Sequence, residues 1–113
     1  MDCIFCKIIA GDIPSKKVFE NDKVLAFHDI DPKAPIHVLI IPKEHISSVN
    51  VMTDSQANVL SDITRAARDI AFDLGLSENG YRLVINEGKD GGQAVDHIHM
   101  HLLGGRQLTW PPG

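Results

Sequence analysis

Three histidines alternate with apolar residues at His97-Ile98-His99-Met100-His101, half of the six histidines in a chain of 113 residues. In an extended segment, side chains two apart share a face. The three imidazoles then line one side, and Ile98, Met100 and Leu102 the other. Imidazole serves near pH 7 as nucleophile, general base or metal ligand. Clustered imidazoles repel when protonated and must be oriented to coexist, which argues against an incidental surface strand. On the residues alone two chemistries stay open. One is a three-histidine metal site of the hydrolase kind. The other is a nucleophilic imidazole flanked by two that orient it and hold a phosphate.

Just before these histidines runs Asn86-Glu87-Gly88-Lys89-Asp90-Gly91-Gly92-Gln93-Ala94. The small residues at its end let backbone N–H groups approach an anion closely, so phosphate donors would stand beside a nucleophile. At the other end of the chain, Cys3 and Cys6 have the C-x-x-C spacing of a metal-binding pair. Alone they are half a site, with a redox pair and two buried free thiols as rivals. Two cysteines three apart cannot staple distant elements, so a secreted disulfide framework is excluded.

The elements that position these residues follow from patterning. A short apolar stretch runs from Cys3 to Ile9, and Pro14 is expected to end any helix beginning near Ile4. Strands are expected at 17–20, 23–27, 36–41, 81–86 and 95–103, with Asn21-Asp22 as a turn, a break at His28 to Pro32, and Pro42 as a stop. The spacing predicts one long helix from Thr53 to Leu74. Thr53 and Gln56 form a capping box, Gly75 a stop, and Ala57, Leu60, Ile63, Ala67, Ile70, Ala71 and Leu74 the apolar face. Gly88 to Gln93 reads as a glycine-rich loop. Strands in a row with one inserted helix argue α+β with an antiparallel sheet.

The chain length fits one domain, and 43% hydrophobic with 23% charged residues is a globular composition, so disorder is excluded. Aromatics are only 5%, so the core must be aliphatic. A formal net charge of −4 with no basic run speaks against a general nucleic-acid or membrane-surface binder. No secretory signal pattern and no membrane-length apolar stretch is visible, so the expectation is a soluble, cytoplasmic protein.

His97-Ile98-His99-Met100-His101-Leu102-Leu103 is similar to the histidine triad motif, His-x-His-x-His with apolar spacers. Phe27-His28-Asp29-Ile30, Pro35-Ile36-His37, Ile41-Pro42-Lys43-Glu44-His45-Ile46, Asn86-Glu87-Gly88, Gly91-Gly92-Gln93 and Gly104-Gly105-Arg106-Gln107 through Trp110-Pro111-Pro112-Gly113 resemble the Hint branch of the histidine triad (HIT) superfamily. The likeness covers essentially the whole chain. It implies a single HIT domain over residues 1–113 with a HIT-like α+β fold. That fold has a five-stranded antiparallel sheet with one long and one short helix. It also implies a homodimer whose tail, 104–113, reaches the partner subunit.

By the same resemblance the protein binds purine nucleotides (AMP, GMP and their phosphoramidates) and cleaves the P–N bond of adenosine 5'-monophosphoramidates. The route is a nucleotidyl-histidine intermediate on His99. His101 would contact the α-phosphate, while His37 and His97 support the network. Asp29 would accept the ribose hydroxyls. Ile4, Phe5, Ile8, Phe27, His28 and Ile30 would surround the base. Asn86 and the Gly92-Gln93-Ala94 backbone would hold the phosphate, and Trp110 would shape the site across the dimer. Some relatives use such a cysteine pair for zinc, which would place a structural ion on Cys3, Cys6, His45 and His97. Ala94 departs from the serine or threonine common at its position, which loses a hydroxyl donor. That departure keeps open a nucleotide-binding adaptor with little turnover, beside a zinc-dependent hydrolase using the three triad histidines as ligands.

Overall fold

The computed structural model describes residues 2–113. In chain order the elements are α1 (Ile4–Ala10), β1 (Lys17–Glu20), β2 (Val24–His28), β3 (Ile36–Pro42), α2 (Val59–Asp73), β4 (Tyr81–Ile85), the one-turn α3 (Gly88–Gly91) and β5 (Met100–Gly104). Two 3-10 turns, Val49–Val51 and Gln56–Asn58, lie between β3 and α2. The sheet order is β1-β2-β3-β5-β4, with every neighbouring pair antiparallel. β5 is therefore interior, paired on one side with β3 and on the other with β4.

Burial of both faces explains why β2 and β3 read as continuous apolar runs rather than as alternating strands. On one face Val24, Ala26, Val38, Ile40, Met100 and Leu102 pack against the apolar stripe of α2, formed by Ile63, Ala66, Ala67, Ile70 and Ala71. On the other, Leu25, Phe27, Leu39 and Ile41 pack under Phe5 and Ile8 of α1. Seven residues make a helix only ~10 Å long, so α1 covers part of that face. The neighbouring part, over β3 and β5, carries His37 and His101. At the end of β5 the bare Gly104 lets the Leu76 side chain pack close, since a Cβ there would come within 2.8 Å of its tip and make it shift.

Several expected boundaries move, each for a local reason. α1 ends before Pro14, at Gly11, whose left-handed backbone (φ 85°) turns its N–H back onto the carbonyls of Lys7 and Ile8. β2 extends through His28, which pairs with Val38, and β3 reaches Pro42. The capping box forms: Gln56 Oε1 accepts from Thr53 N–H at 3.0 Å, and Thr53 Oγ1 from Gln56 N–H at 3.1 Å. It heads a 3-10 turn, however, and α2 begins only at Val59. Ala57 is thereby exposed, and Ala66 joins the buried stripe in its place. β4 stops at Ile85, and the glycine-rich loop contains the helical turn α3.

The largest correction concerns 95–103, since ladder pairing begins only at Met100, opposite Ile40 and Ile85. Before that point Ile98 N–H donates at 2.8 Å to the carbonyl of Ile46, which follows β3. His97 and His99 thus stand on a buried segment entering the sheet, while the alternation persists. Ile98, Met100 and Leu102 all join the α2-side core.

Candidate active site

Hydrogen-bond partners fix the tautomers of the histidines in turn. Lys33 N–H donates to His37 Nδ1 at 3.0 Å, leaving the proton of His37 on Nε2. That N–H donates to His101 Nδ1 at 2.9 Å, so His101 also carries its proton on Nε2. His101 Nε2 is buried and, among the described residues, has no partner. An unsatisfied buried donor costs roughly 1–3 kcal/mol, and a bound anion oxygen would relieve that cost.

His99 is set the opposite way. Its Nδ1–H donates to the main-chain carbonyl of His97 at 2.8 Å, so the lone pair is on Nε2. The His99 ring is 5% exposed, lies 5.0 Å from the His101 ring, and meets Phe5 edge to face at 5.1 Å. The cluster thus presents one imidazole with a free lone pair beside another with a free N–H. Those are the parts of a nucleophile and an anion donor.

Burial, reinforced by His99 and His37, pushes His101 down to about 4 from its ordinary 6.5, so the ring is neutral at pH 7. His37 is also held below the imidazole range by burial, with Asp29 opposing. Because the folded pKa of His101 lies below the unfolded one, its stabilisation is complete above pH 6.5. It is lost progressively as pH falls through about 4. Urea unfolding between pH 7 and 4.5 is therefore expected to show stability falling with pH, with a shallower fall in His101→Gln.

Asp29 follows β2. Its Oδ1 accepts from Asp31 N–H at 2.8 Å, and its Oδ2 lies 3.5 Å from His37 Nε2. One carboxylate oxygen is therefore engaged in its own turn. Phe5, Ile8 and Phe27 come together as a buried cluster beneath the histidines, with Phe5 and Phe27 rings 5.7 Å apart. Ile4 and Ile30, in contrast, are exposed at 46% and 101%. His28 pairs with Val38, so its register places it on the α2 side, away from His37 and His101.

Asn86 lies half-buried just after β4. The N–H groups of Gly92 and Gln93 do not stand free for an anion, because they donate to the carbonyls of Lys89 and Gly88 at 3.1 and 3.0 Å. The Gln93 side chain latches the loop, accepting from Gly88 N–H and donating to the carbonyls of Ser47 and Val95. Ala94 is exposed and lines a 460 Å³ cavity together with Cys3, Ile4 and His45. Trp110 is 80% exposed. Within this chain Arg82 stands 6.0 Å over its ring and donates to the Thr109 carbonyl.

Cys3, Cys6, His45 and His97 converge. Cys3 Sγ and His97 Nδ1 are 3.2 Å apart, Cys6 Sγ and His45 Nδ1 3.3 Å, Cys6 Sγ and His97 Nδ1 3.6 Å, and the two Nδ1 atoms 3.2 Å. Tetrahedral zinc, with Zn–S ~2.3 Å and Zn–N ~2.0–2.1 Å, gives edges of about 3.6 Å for S···N and about 3.4 Å for N···N. The donor set fits a closed four-coordinate ion. His97 Nε2–H donates to the Pro42 carbonyl at 2.9 Å, which leaves Nδ1 as the ligating atom. A second group able to hold a metal, Asp29, His37 and His101, coincides with the tautomer chain. His97, His99 and His101 form no such group among the described residues.

Three contributors had no side-chain signature in the sequence: the carbonyl of His97, the carbonyl of Pro42 and the N–H of Lys33. The only available signal was positional, in Asp31-Pro32 turning the chain five residues before His37 and Pro42 closing β3.

A His-x-His-x-His segment running into the interior strand β5, a helix on each face and the strand order β1-β2-β3-β5-β4 define the class. The chain belongs to the HIT domain family, whose profile matches residues 10–108. Within it the similarity runs to the Hint branch. The chain is 48% identical over 112 residues to the adenylylsulfatase HINT1 of Arabidopsis thaliana, covering 97% of this chain and 76% of that protein. It is 47% identical over 114 residues to a 14 kDa zinc-binding protein of Brassica juncea, covering 99% and 100%. A crystal structure of a HIT family hydrolase from Legionella pneumophila Philadelphia 1 superposes with a TM-score of 0.97 at 55% identity, covering 99% of this chain and 100% of that one. No helix among the described residues is long and apolar enough to cross a membrane.

Proposed function

We propose that the protein is a purine-nucleotide hydrolase that cleaves the P–N bond of adenosine 5'-monophosphoramidates through a nucleotidyl-His99 intermediate. The supporting observation is the opposed pair of tautomers, with His99 Nε2 free to attack and His101 Nε2–H free to hold an oxygen of the α-phosphate. His99 Nε2 attacks phosphorus, the P–N bond breaks, and the leaving nitrogen departs as the amine with a proton from solvent. Water then attacks phosphorus and expels Nε2, releasing AMP. The His97 carbonyl stabilises the positive charge that reaches the His99 ring, because Nδ1–H already points at it. Asp29, with Oδ1 in its own turn, has Oδ2 for a ribose hydroxyl. Phe5, Ile8 and Phe27 back the base. Gly92 and Gln93 spend their N–H groups closing α3, which leaves the Ala94 N–H as the backbone donor this reading assigns to the anion.

The test is to mix the protein with an adenosine 5'-phosphoramidate, quench it in milliseconds and locate the adduct by mass spectrometry. An adenylyl group on His99 is expected, and turnover without any adduct would refute the covalent route. Ala94→Ser, which restores a hydroxyl beside the leaving group, should raise the rate on amine-leaving substrates several-fold, the worth of one hydrogen bond of about 1 kcal/mol. Kinetics with a small and a bulky amine check this.

The same reading carries a zinc ion on Cys3, Cys6, His45 and His97, supported by their spacing and by the name of the Brassica relative. A closed four-ligand ion supplies structure there and leaves the reaction to the imidazoles. It also carries a homodimer, supported by exposed Leu83 on edge strand β4 and by Phe72. Twice the chain mass in light scattering checks it.

A further inference from the structure

We infer that the Cys3–Cys6 turn is a positioning device for the attacking nitrogen of His99, acting through His97. The inference rests on the proposed nucleophile and on the four-residue metal group. His97 is 0% exposed and is held at three points. Its Nδ1 joins Cys3, Cys6 and His45, its Nε2–H reaches the Pro42 carbonyl, and its own carbonyl accepts Nδ1–H of His99. Between the two histidines, Ile98 is buried, and its N–H is bonded to the carbonyl of Ile46, next to His45. Very little of the 97–99 segment can move while His97 is ligated.

A second contact joins the same parts. Phe5 lies between the cysteines in sequence and sets its ring edge to face against both His97, at 5.8 Å, and His99, at 5.1 Å. The turn that presents the thiols therefore also braces the nucleophile ring. Without the ion, His97 Nδ1 keeps only a proton shared from His45 or a thiol, and the His45–Ile46 and His97–Ile98 segments, joined otherwise by one backbone hydrogen bond, are free to separate. The peptide unit that carries the His97 carbonyl then shifts from His99. A neutral imidazole released from such an acceptor drifts toward the Nε2–H tautomer that water favours, which puts a proton on the attacking atom.

Long-range 1H–15N spectra of protein labelled with 15N-histidine read that tautomer without substrate. Zinc-loaded protein should show His99 as Nδ1–H alone. Cys6→Ser should show a mixture with Nε2–H, and Cys6→His, which keeps four ligands, should restore Nδ1–H. In parallel, kcat of Cys6→Ser should fall about tenfold with KM within twofold. Ile63→Ala, which loosens the α2-side core, serves as the control for lost stability and should keep the Nδ1–H tautomer. A folded, metal-free Cys6→Ser with His99 still wholly Nδ1–H would overturn the inference, as would a control that mixes tautomers. Should Cys6→Ser not fold, wild type loaded with cadmium, whose bonds to sulfur and nitrogen are longer, should shift the His99 Nδ1 proton resonance. Identical zinc and cadmium spectra would also overturn the inference. A His99 whose tautomer follows the metal yet never carries an adduct would overturn the proposed activity and leave this coupling standing.

Discussion

His99→Ala is expected to lower the rate of phosphoramidate cleavage by about 10³-fold or more, roughly 4 kcal/mol of transition-state stabilisation. The size follows from what else is able to attack. His101 has its Nδ1 lone pair engaged by His37 and a proton on Nε2. His97 has its Nδ1 among the cysteines and a proton on Nε2. No other ring in the cluster offers a lone pair to the open side, so the variant retains only direct attack by water. Affinity for AMP should stay within about tenfold, ~1.4 kcal/mol, because the free N–H of His101, Asp29 and the Phe5–Phe27 cluster remain. Single-turnover kinetics and calorimetric titration with AMP measure the two effects separately. A variant that keeps a near-normal single-turnover rate refutes the nucleophile. A variant that loses AMP binding as steeply as rate means that the ring holds substrate rather than attacking it.

Much of this site was legible because its chemistry resides in side chains at short spacing. His97, His99 and His101 declare a shared face by period two, and the face is real although the ladder starts only at Met100. The helix-side core was equally readable, since α2 buries residues at helical spacing. Where the helix starts was not. The Thr53–Gln56 box is a local signal that a 3-10 turn satisfies as well as an α-turn does. The glycine segment misled more instructively. Small residues permit backbone N–H groups to face an anion, but Gly92 and Gln93 spend theirs closing α3. A glycine run states what the backbone is free to do, while hydrogen-bond satisfaction decides what it does. The residues expected around the base divide between two environments. Phe5, Ile8 and Phe27 are buried together, while Ile30, apolar and adjacent to Asp29, is fully exposed in the turn. His28, one residue earlier, takes the opposite face from Phe27. The tautomers were out of reach altogether, because they depend on carbonyls and an N–H that every sequence contains.

Stripping the metal, or replacing Cys3 and Cys6 together with serine, is expected to lower the unfolding free energy by about 4 kcal/mol. A ligand that binds only the folded state stabilises by RT ln(1 + [L]/Kd), which is ~4.1 kcal/mol when the ion stands a thousandfold above its Kd. In a domain of this size each kcal/mol moves Tm by about 4–8 °C, so a drop of roughly 15–30 °C should appear. The loss should start at α1. Seven residues cannot sustain a helix in isolation, and α1 is held at its first turn by Cys3, which caps it by accepting from Cys6 N–H. Past that turn it is held by little more than Phe5 and Ile8 over Leu25, Phe27, Leu39 and Ile41. Freed there, α1 uncovers the α1-side cluster and with it the contact of Phe5 on His99. The α2-side core shares none of these residues and should unfold at the lower temperature as one unit with the rest. Elemental analysis of protein purified without chelator should find about one zinc per chain, and the serine pair none. Hydrogen exchange should then show residues 4–10 losing protection first, before the amides of α2. Wild type carrying no zinc, with a Tm that chelator leaves unmoved, would mean that the four side chains hold their places by hydrogen bonds alone. An equal loss of protection in α1 and α2 would mean that the ion stabilises the whole domain without anchoring α1.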